Sequence, residues 1–357
     1  MTSLFDPIEV GKMQLSNRVA MAPLTRNRAG AGQVPQDIAV EYYRQRASVG
    51  LIITEGTQPS GVGQGYLNTP GIHTDEQVEG WRAVVDAVHD EGGHIFVQLM
   101  HVGRIAHPDN KPVPGIVAPS ALAAPGRMVT PAGQQDFPTP RALDTDEIPG
   151  VVGEFVHAAR QAIAAGADGV EIHGANGYLV HQFLGRSSNH RTDAYGGSPE
   201  NRARLGIEIV RAVADAIGPE KVGIRISPSH NIQGVVEDDE SDAAATYFAL
   251  IDGIAPLGIA YVSYLADPRH PLIRELRKRF GGPMIANDGF GAVTTQESAQ
   301  AILDADLADL VAVGRPVIAN PDLVERWRTG AELNEPDSTT FYGGHARGYI
   351  DYPPLSA

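Results

Sequence analysis

A histidine, an asparagine and a tyrosine lie close together in the run His173-Gly-Ala-Asn176-Gly-Tyr178. The run follows an apolar segment with the pattern of a β-strand, and past the end of a strand the chain turns. The three side chains can therefore face one small volume, where imidazole and amide donate hydrogen bonds to a substrate oxygen and the phenol delivers a proton. A structural histidine is the alternative for His173 alone, but Asn176, Tyr178 and the nearby Gln98 favour a catalytic site.

Metal binding is a weaker explanation for the histidines of this chain. His101, His107, His173 and His181 do not form an H-E-x-x-H arrangement, and no clear carboxylate joins them. The chain contains no cysteine, which excludes disulfides, thiolate ligands and a thiol nucleophile. The sequence therefore predicts no metal site.

A second chemical signal is Arg225, which stands among apolar neighbours in a predicted strand. A buried charge needs a partner. One candidate is a structural ion pair with Glu55 or Glu171. The other, which we favour, is an anionic centre such as a reduced isoalloxazine ring near its N1 and O2 atoms.

Two glycine-containing turns, Asn287-Asp288-Gly289 and Val313-Gly314-Arg315, follow the last two predicted strands. Glycine lets backbone N–H groups approach an anion closely, and an arginine fork matches phosphate oxygens. Loops after the seventh and eighth strands of a (β/α)8 barrel commonly bind phosphate. Two tight turns with a surface arginine are the alternative, and the Asp288 carboxylate opposes a phosphate unless it turns away.

Short β-branched runs alternate along the chain with alanine-rich amphipathic segments, which predicts parallel strands joined by helices. The predicted strands are Arg18 to Leu24, Leu51 to Glu55, His94 to Leu99, Gly169 to His173, Lys221 to Ile226, Ile259 to Leu265, Pro283 to Ala286 and Leu310 to Val313. The predicted helices are Pro35 to Ser48, Glu76 to Glu91, Pro149 to Ala165, Pro199 to Ile217, Asp242 to Ala255, His270 to Phe280, Thr295 to Ala305 and Pro321 to Trp327.

Eight such units predict an α/β fold, a (β/α)8 TIM barrel formed by a single domain of residues 1–357. An open doubly wound sheet is the alternative, but it needs a glycine-rich fingerprint after the first strand, where this chain has Thr25-Arg26-Asn27-Arg28. The long segment Met100 to Asp146, after strand three, lacks periodicity and predicts a loop excursion on the catalytic face.

Charge and composition narrow the class of protein. The formal net charge of −15 opposes nucleic-acid binding, and no apolar stretch reaches the roughly 20 residues of a membrane span. The beginning of the chain lacks a signal-peptide pattern. We therefore expect a soluble, cytoplasmic enzyme for small molecules, as a monomer or a homo-oligomer.

With these residues in hand, the sequence resembles the Old Yellow Enzyme family of FMN-dependent ene-reductases over nearly its whole length. The segments that carry the resemblance are Asn17 to Thr25, Thr54 to Thr57, Val97 to Leu99, Gly169 to Leu184, Asn189 to Asp193, Tyr195 to Gly197, Glu200 to Arg202, Arg225 to Pro228, Gly314 to Pro316, Asn320 to Leu323 and Gly348 to Pro353. Each is weak alone, but their order and spacing together are highly specific.

The resemblance implies tightly bound, non-covalent FMN, with NADPH or NADH as hydride donor and an activated alkene, an α,β-unsaturated carbonyl or nitro compound, as substrate. The residues implied at the flavin are Pro23, Leu24, Thr25, Gly56, Gln98, Arg225, Asp288, Gly289, Gly314 and Arg315. His173 and Asn176 would bind the substrate oxygen, and Tyr178 would protonate Cα after hydride transfer to Cβ. Tyr66, Met100 and Tyr349 would line the substrate pocket.

Two residues depart from the family pattern. Many relatives have tryptophan where this chain has Met100, a smaller side chain that predicts a wider pocket. Asp288 replaces a common small residue at the phosphate site, which puts the affinity for FMN in question.

Other functions fit less well. No lysine falls at the carboxyl end of a predicted strand, as a Schiff-base aldolase requires. Glu55 and Glu171 could form a glycosidase pair, but the site lacks aromatic residues for a sugar. A non-catalytic flavoprotein sensor would not need His173, Asn176 and Tyr178 together.

Overall fold

The computed structural model describes residues 2–355, in which eight parallel strands pair in chain order and close into a barrel. The barrel strands are β1 Val19–Met21, β2 Leu51–Ile53, β3 Ile95–Leu99, β4 Gly169–Gly174, β5 Val222–Ile226, β6 Tyr261–Leu265, β7 Met284–Asn287 and β8 Leu310–Val313. Closure is completed by β8 against β1, where Val311 is opposite Val19. The predicted (β/α)8 barrel is confirmed.

One main helix follows each barrel strand. These helices are α1 Asp37–Arg44, α2 Asp75–Asp90, α3 Ile148–Ala164, α4 Pro199–Ile217, α5 Glu240–Ile254, α6 Pro271–Phe280, α7 Gln296–Asp304 and α8 Leu323–Thr329. Two short helices that the sequence analysis did not predict, Leu179–Leu184 and Arg315–Ala319, follow β4 and β8. Within residues 2–355, no helix has both the length and the apolar character that crossing a membrane requires.

The barrel interior is apolar at one end and polar at the other. Phe96 and Tyr261 fill the lower interior with ring centroids 5.5 Å apart. Their strand neighbours Gly169 and Gly223 leave room for them, since a Cβ at either glycine would lie 2.4 Å from the ring. Two residues further along β3, β4 and β5, the inward positions carry Gln98, Glu171 and Arg225. The strand period therefore places these polar groups together above an apolar floor.

Short strands outside the barrel complete the fold. A hairpin of Ile8–Val10 and Met13–Leu15 packs Val10 and Leu15 against the interior cluster at the barrel's amino-terminal end. The predicted excursion after β3 contains a parallel pair, Val117–Ala118 with Arg141–Ala142, and a hairpin of Arg127–Thr130 with Gly133–Asp136. Its apolar residues form a cluster with Met100 and Tyr178, so the excursion lies on the catalytic face as predicted.

A buried arginine just after α1 connects three segments around the barrel mouth. Arg46, which has no exposed surface, donates from its guanidinium to the carbonyl oxygens of Tyr42 (2.7 Å), Val317 (2.9 Å), Ile318 (2.6 Å) and Tyr349 (3.2 Å). The Tyr349 ring stacks on Tyr42 with centroids 4.0 Å apart. These contacts fix the carboxyl-terminal segment and the helix after β8 against α1.

We expect Arg46→Ala to reduce the free energy of unfolding by about 3 kcal/mol or more, because it leaves several buried carbonyl groups without a donor. Arg44→Ala, which removes exposed ion pairs to Glu41 and Glu91, is the matched control and should cost about 1 kcal/mol or less. Urea denaturation measures both, and equal losses would contradict the role given to Arg46.

Candidate active site

A cleft of about 350 Å³ opens at the carboxyl ends of the barrel strands. Its walls are Pro23, Leu24, Thr25, Gly56, Gln98, Met100, His173, Asn176, Tyr178, Arg225, Phe290, Arg315, Ile318, Phe341 and Tyr342. The chain turns into this cleft after β1 because Ala22 makes the last pairing bond, to Val313, and Pro23 has no N–H to continue. Most of the predicted residues, which come from six separate strand ends, therefore meet here.

A smaller cavity of about 80 Å³ adjoins the cleft between the loops after β7 and β8. Its lining includes Gly289, Gly314 and Arg315, as predicted for a phosphate site. Asp288 lines neither cavity, since its carboxylate accepts a hydrogen bond from the Thr294 hydroxyl at 2.9 Å within its own loop. Asp288 was predicted at the phosphate and is not part of the lining, although Thr294, which bonds its carboxylate, lines the smaller cavity.

Arg225 is buried at the centre of the cleft floor and has no hydrogen-bond acceptor or ion-pair partner among residues 2–355. Glu171 instead accepts a hydrogen bond from the Gln98 amide at 2.7 Å, and Glu55 accepts one from the Arg26 backbone N–H at 3.0 Å. Burial lowers the pKa of Arg225, although Glu171 acts in the opposite direction. Neither structural ion pair considered from the sequence is formed, so the guanidinium faces the cleft.

His173 presents a neutral imidazole to the cleft. Burial lowers the pKa of His173 well below its usual range, and the positive charge of Arg225 adds to the effect. Its Nδ1 accepts a hydrogen bond from the Ala175 backbone N–H at 3.2 Å. The single proton of the ring is therefore assigned to Nε2, which makes His173 a hydrogen-bond donor.

Asn176 and Tyr178 complete the predicted trio. The Asn176 backbone has a left-handed φ of 56° and donates to the Ser227 hydroxyl at 2.8 Å. Its buried side-chain oxygen has no hydrogen-bond partner among the described residues. Tyr178 lies edge-on to His173 with ring centroids 4.9 Å apart, and its hydroxyl is 2.9 Å from that of Tyr66. Burial raises the pKa of Tyr178, so the phenol keeps its proton at neutral pH.

The three residues expected in the substrate pocket lie in different places. Met100 is on the cleft wall and packs against Gly56, where a Cβ would lie 2.5 Å from the methionine sulfur. Tyr66 is not among the residues that line the cleft, but its hydroxyl oxygen lies 2.9 Å from that of Tyr178. Tyr349 lies outside the cleft and is fully buried, with the Arg28 guanidinium 4.4 Å from its ring centroid.

Four cleft residues were missed by the sequence analysis: Phe290, Ile318, Phe341 and Tyr342. Three of them come from loops, and Ile318 comes from the unpredicted helix after β8. A usable signal is the aromatic pair Phe341-Tyr342 within an aperiodic segment, because binding residues are often carried by loops. Tyr349 is held in the core by Arg26 and Arg28, whose guanidinium groups lie over its ring, whereas Phe341 and Tyr342 line the cleft.

A family model with the description NADH:flavin oxidoreductase / NADH oxidase family matches residues 3–334 of the chain. The chain belongs to this family.

Several named relatives match almost the whole length of the chain. 12-Oxophytodienoate reductase 2 of Arabidopsis thaliana is 40% identical over 372 residues, covering 99% of this chain and 96% of the relative. Morphinone reductase in complex with tetrahydroNAD superposes with a TM-score of 0.93 at 48% identity, covering 99% of this chain and 98% of the other. An Old Yellow Enzyme homologue from Zymomonas mobilis superposes with a TM-score of 0.93 at 43% identity, covering 98% of this chain and 99% of the other.

Membership of this family confirms the resemblance to Old Yellow Enzyme and the prediction of an FMN-dependent enzyme with a nicotinamide donor. The predicted reaction class, reduction of the C=C bond of activated alkenes, is also confirmed. Among residues 2–355, no group of three or more histidine, aspartate or glutamate side chains is placed to hold a metal ion.

The protonation state of His173 is directly testable. Since burial disfavours the imidazolium, we expect the ring to stay neutral between about pH 6 and 8, with its proton on Nε2. Nitrogen-15 NMR of histidine-labelled protein, with His173→Asn to assign the signal, measures both properties. A titration of this signal near pH ~6.5 would contradict the assignment.

Proposed function

We propose that FMN binds with its ring along Pro23, Leu24 and Thr25 and its phosphate in the cavity at Gly289, Gly314 and Arg315. The unpaired guanidinium of Arg225 carries this proposal, because a buried cation without an acceptor fits an anionic ring edge. The amide of Gln98, on the same floor, is suited to the pyrimidine edge. The residues present therefore fit the cofactor of the family.

The phosphate assignment is supported by the backbone of the two loops. Gly289 has a φ of +103°, a conformation that favours glycine, and open space surrounds its Cβ position. Gly314 leaves the cavity free of a side chain beside Leu24. Arg315 supplies the charge, and its guanidinium donates to the Phe290 carbonyl oxygen from across this cavity. A phosphate would provide this arginine with a stronger acceptor.

The proposed reaction is reduction of an α,β-unsaturated carbonyl or nitro compound with NADPH or NADH as the hydride source. When bound, FMN supplies the hydride chemistry, from its N5 to Cβ of the alkene. His173 Nε2–H and the Asn176 amide donate hydrogen bonds to the substrate oxygen and withdraw electron density from the alkene. A neutral imidazole suits this role, since it donates a hydrogen bond without releasing a proton to the solvent.

Tyr178 is proposed to protonate Cα of the alkene. Its raised pKa keeps the phenol protonated, and the developing carbanion makes it an adequate acid. The neighbouring Tyr66 hydroxyl, at 2.9 Å, can stabilise the resulting phenolate by a hydrogen bond. Phe341, Tyr342 and Met100 form the remaining wall and reduce the access of water to the reacting carbon atoms. Met100 leaves more space than the tryptophan of many relatives.

Anaerobic stopped-flow measurements test the reaction and the role of Tyr178. We expect NADPH or NADH to bleach the wild-type flavin and cyclohexenone to restore its colour. Tyr178→Phe should slow the step with cyclohexenone by roughly 10²- to 10⁴-fold, because proton transfer is lost, while the step with the nicotinamide stays within about threefold. Arg186→Lys, at an exposed position outside the cleft, is the control.

Two results would count against this assignment. A wild-type flavin that nicotinamide bleaches but cyclohexenone does not reoxidise would favour a sensor over a reductase. Unchanged cyclohexenone kinetics in Tyr178→Phe would remove the phenol from the mechanism. Replacing His173 and Asn176 together should raise the KM for cyclohexenone and lower kcat/KM, and an intact turnover would contradict the proposed oxygen-binding pair.

A further inference from the structure

Behind the catalytic loop lies a buried polar cluster that has no place in the proposed mechanism. Its members are His181 of the helix Leu179–Leu184, Glu237 of the loop after β5, and Tyr247 of α5. His181 Nε2 is 3.2 Å from Glu237 Oε1, and the Tyr247 hydroxyl is 3.1 Å from both. None of the three lines the cleft, so the cluster cannot contact the substrate.

The hydrogen bonds determine which way His181 faces. Its Nδ1 accepts the backbone N–H of Gly177 at 2.8 Å, so the neutral ring carries its proton on Nε2 and donates it to Glu237. Burial alone would raise the pKa of Glu237, but its contacts with His181, Ser229 and Tyr247 outweigh burial and lower it. The carboxylate therefore stays ionised and holds the imidazole in this orientation.

The same carboxylate also fixes a second loop against the catalytic residues. Glu237 accepts the backbone N–H of Ser229 at 2.7 Å and donates its own N–H to Asn231, which closes the loop of residues 229–237. From this loop the Gln233 side-chain amide donates to the carbonyl oxygen of Asn176 at 2.6 Å. At Gly177, a Cβ would lie only 2.7 Å from that of Gln233.

The two contacts meet on one peptide group. The carbonyl oxygen of Asn176 and the N–H of Gly177 belong to the same peptide plane, and Gln233 and His181 hold its two ends. Such support suits Asn176, whose left-handed φ of 56° is a conformation that residues with a Cβ adopt less readily than glycine. The side chain before this peptide is the oxygen-binding Asn176, and two residues later comes Tyr178.

We propose that His181, Glu237 and Gln233 are positioning residues for alkene reduction, which clamp the Asn176–Gly177 peptide and thereby aim the Asn176 amide and the Tyr178 phenol at the substrate. This inference rests on the proposed function of those two side chains. The clamp acts by positioning, because a displacement of about 1 Å at a reacting group can reduce the rate by about 10²-fold. Gln233 also reaches the phenol directly: burial raises the pKa of Tyr178, and a hydrogen bond with Gln233 acts in the opposite direction.

The test uses pairs of variants in the FMN-loaded enzyme. His181→Leu removes the acceptor for Gly177 N–H, whereas His181→Asn retains one, because the asparagine Oδ1 occupies nearly the position of the histidine Nδ1. We expect kcat/KM for cyclohexenone to fall roughly 10- to 100-fold in His181→Leu and to recover to within about threefold of wild type in His181→Asn. Hydrogen exchange at residues 173–178 should accelerate in the first variant only, and the dissociation constant for FMN should change little in either.

Gln233→Met keeps the test decisive if His181→Leu fails to fold, because Gln233 is only half-buried. It should lower kcat/KM for cyclohexenone in the same direction and also accelerate hydrogen exchange at residues 173–178. A lower kcat/KM with unchanged exchange would show that Gln233 acts only through its contact with the Tyr178 phenol, and would reject the clamp. Thr246→Val, which alters a buried polar side chain of α5 that contacts Arg202 instead of the catalytic loop, is the control for a purely structural effect. It should change stability without changing kinetics or exchange at residues 173–178.

The outcomes separate this inference from the function on which it rests. Wild-type protein that reduces cyclohexenone, together with unchanged kcat/KM in Gln233→Met and, where it folds, in His181→Leu, overturns the clamp alone. Wild-type protein without any alkene turnover overturns the proposed function first. Equal losses in His181→Leu and His181→Asn would show that the Gly177 contact is irrelevant, and that result also rejects the clamp.

Discussion

A positive charge is buried in the mouth of the barrel without an acceptor from the protein. Arg225 is the inward residue above Gly223 on β5, so the strand period forces it into the interior, where the nearest carboxylate, Glu171, is bonded to Gln98 instead. Such a charge is unfavourable unless a ligand supplies an anionic or strongly polar partner. The cleft, with the proposed phosphate cavity beside it and the proposed catalytic trio on its wall, contains this group, and we propose that it connects the fold to the cofactor.

The barrel was predictable because its pattern is repeated eight times. Apolar runs of strand length alternate with amphipathic helices, and errors at individual boundaries do not alter the topology. Those errors have local causes. The first strand was predicted to reach Leu24 but ends at Met21, since Pro23 cannot donate a pairing hydrogen bond. The helices Leu179–Leu184 and Arg315–Ala319 are too short to show a helical period.

The candidate site was predictable where chemistry is local in sequence. His173 lies near the end of β4, and Asn176 and Tyr178 follow within the next four residues. Gln98 and Arg225 lie near the ends of the two strands that pair with β4. Contacts between distant segments were not predictable. Tyr349 was expected in the substrate pocket, but its stacking on Tyr42 holds it in the core and leaves Phe341 and Tyr342 at the cleft. The clamp on the Asn176–Gly177 peptide joins three elements and has no sequence signature.

On this account, Arg225 destabilises the apoprotein and stabilises the complex with FMN. Thermal denaturation of apoprotein and FMN-saturated protein, for wild type and Arg225→Met, tests both halves. We predict that Arg225→Met raises the melting temperature of the apoprotein but reduces the increase that FMN produces, with at least a tenfold weaker dissociation constant. A variant that loses stability without FMN and binds FMN as tightly as wild type would contradict the account.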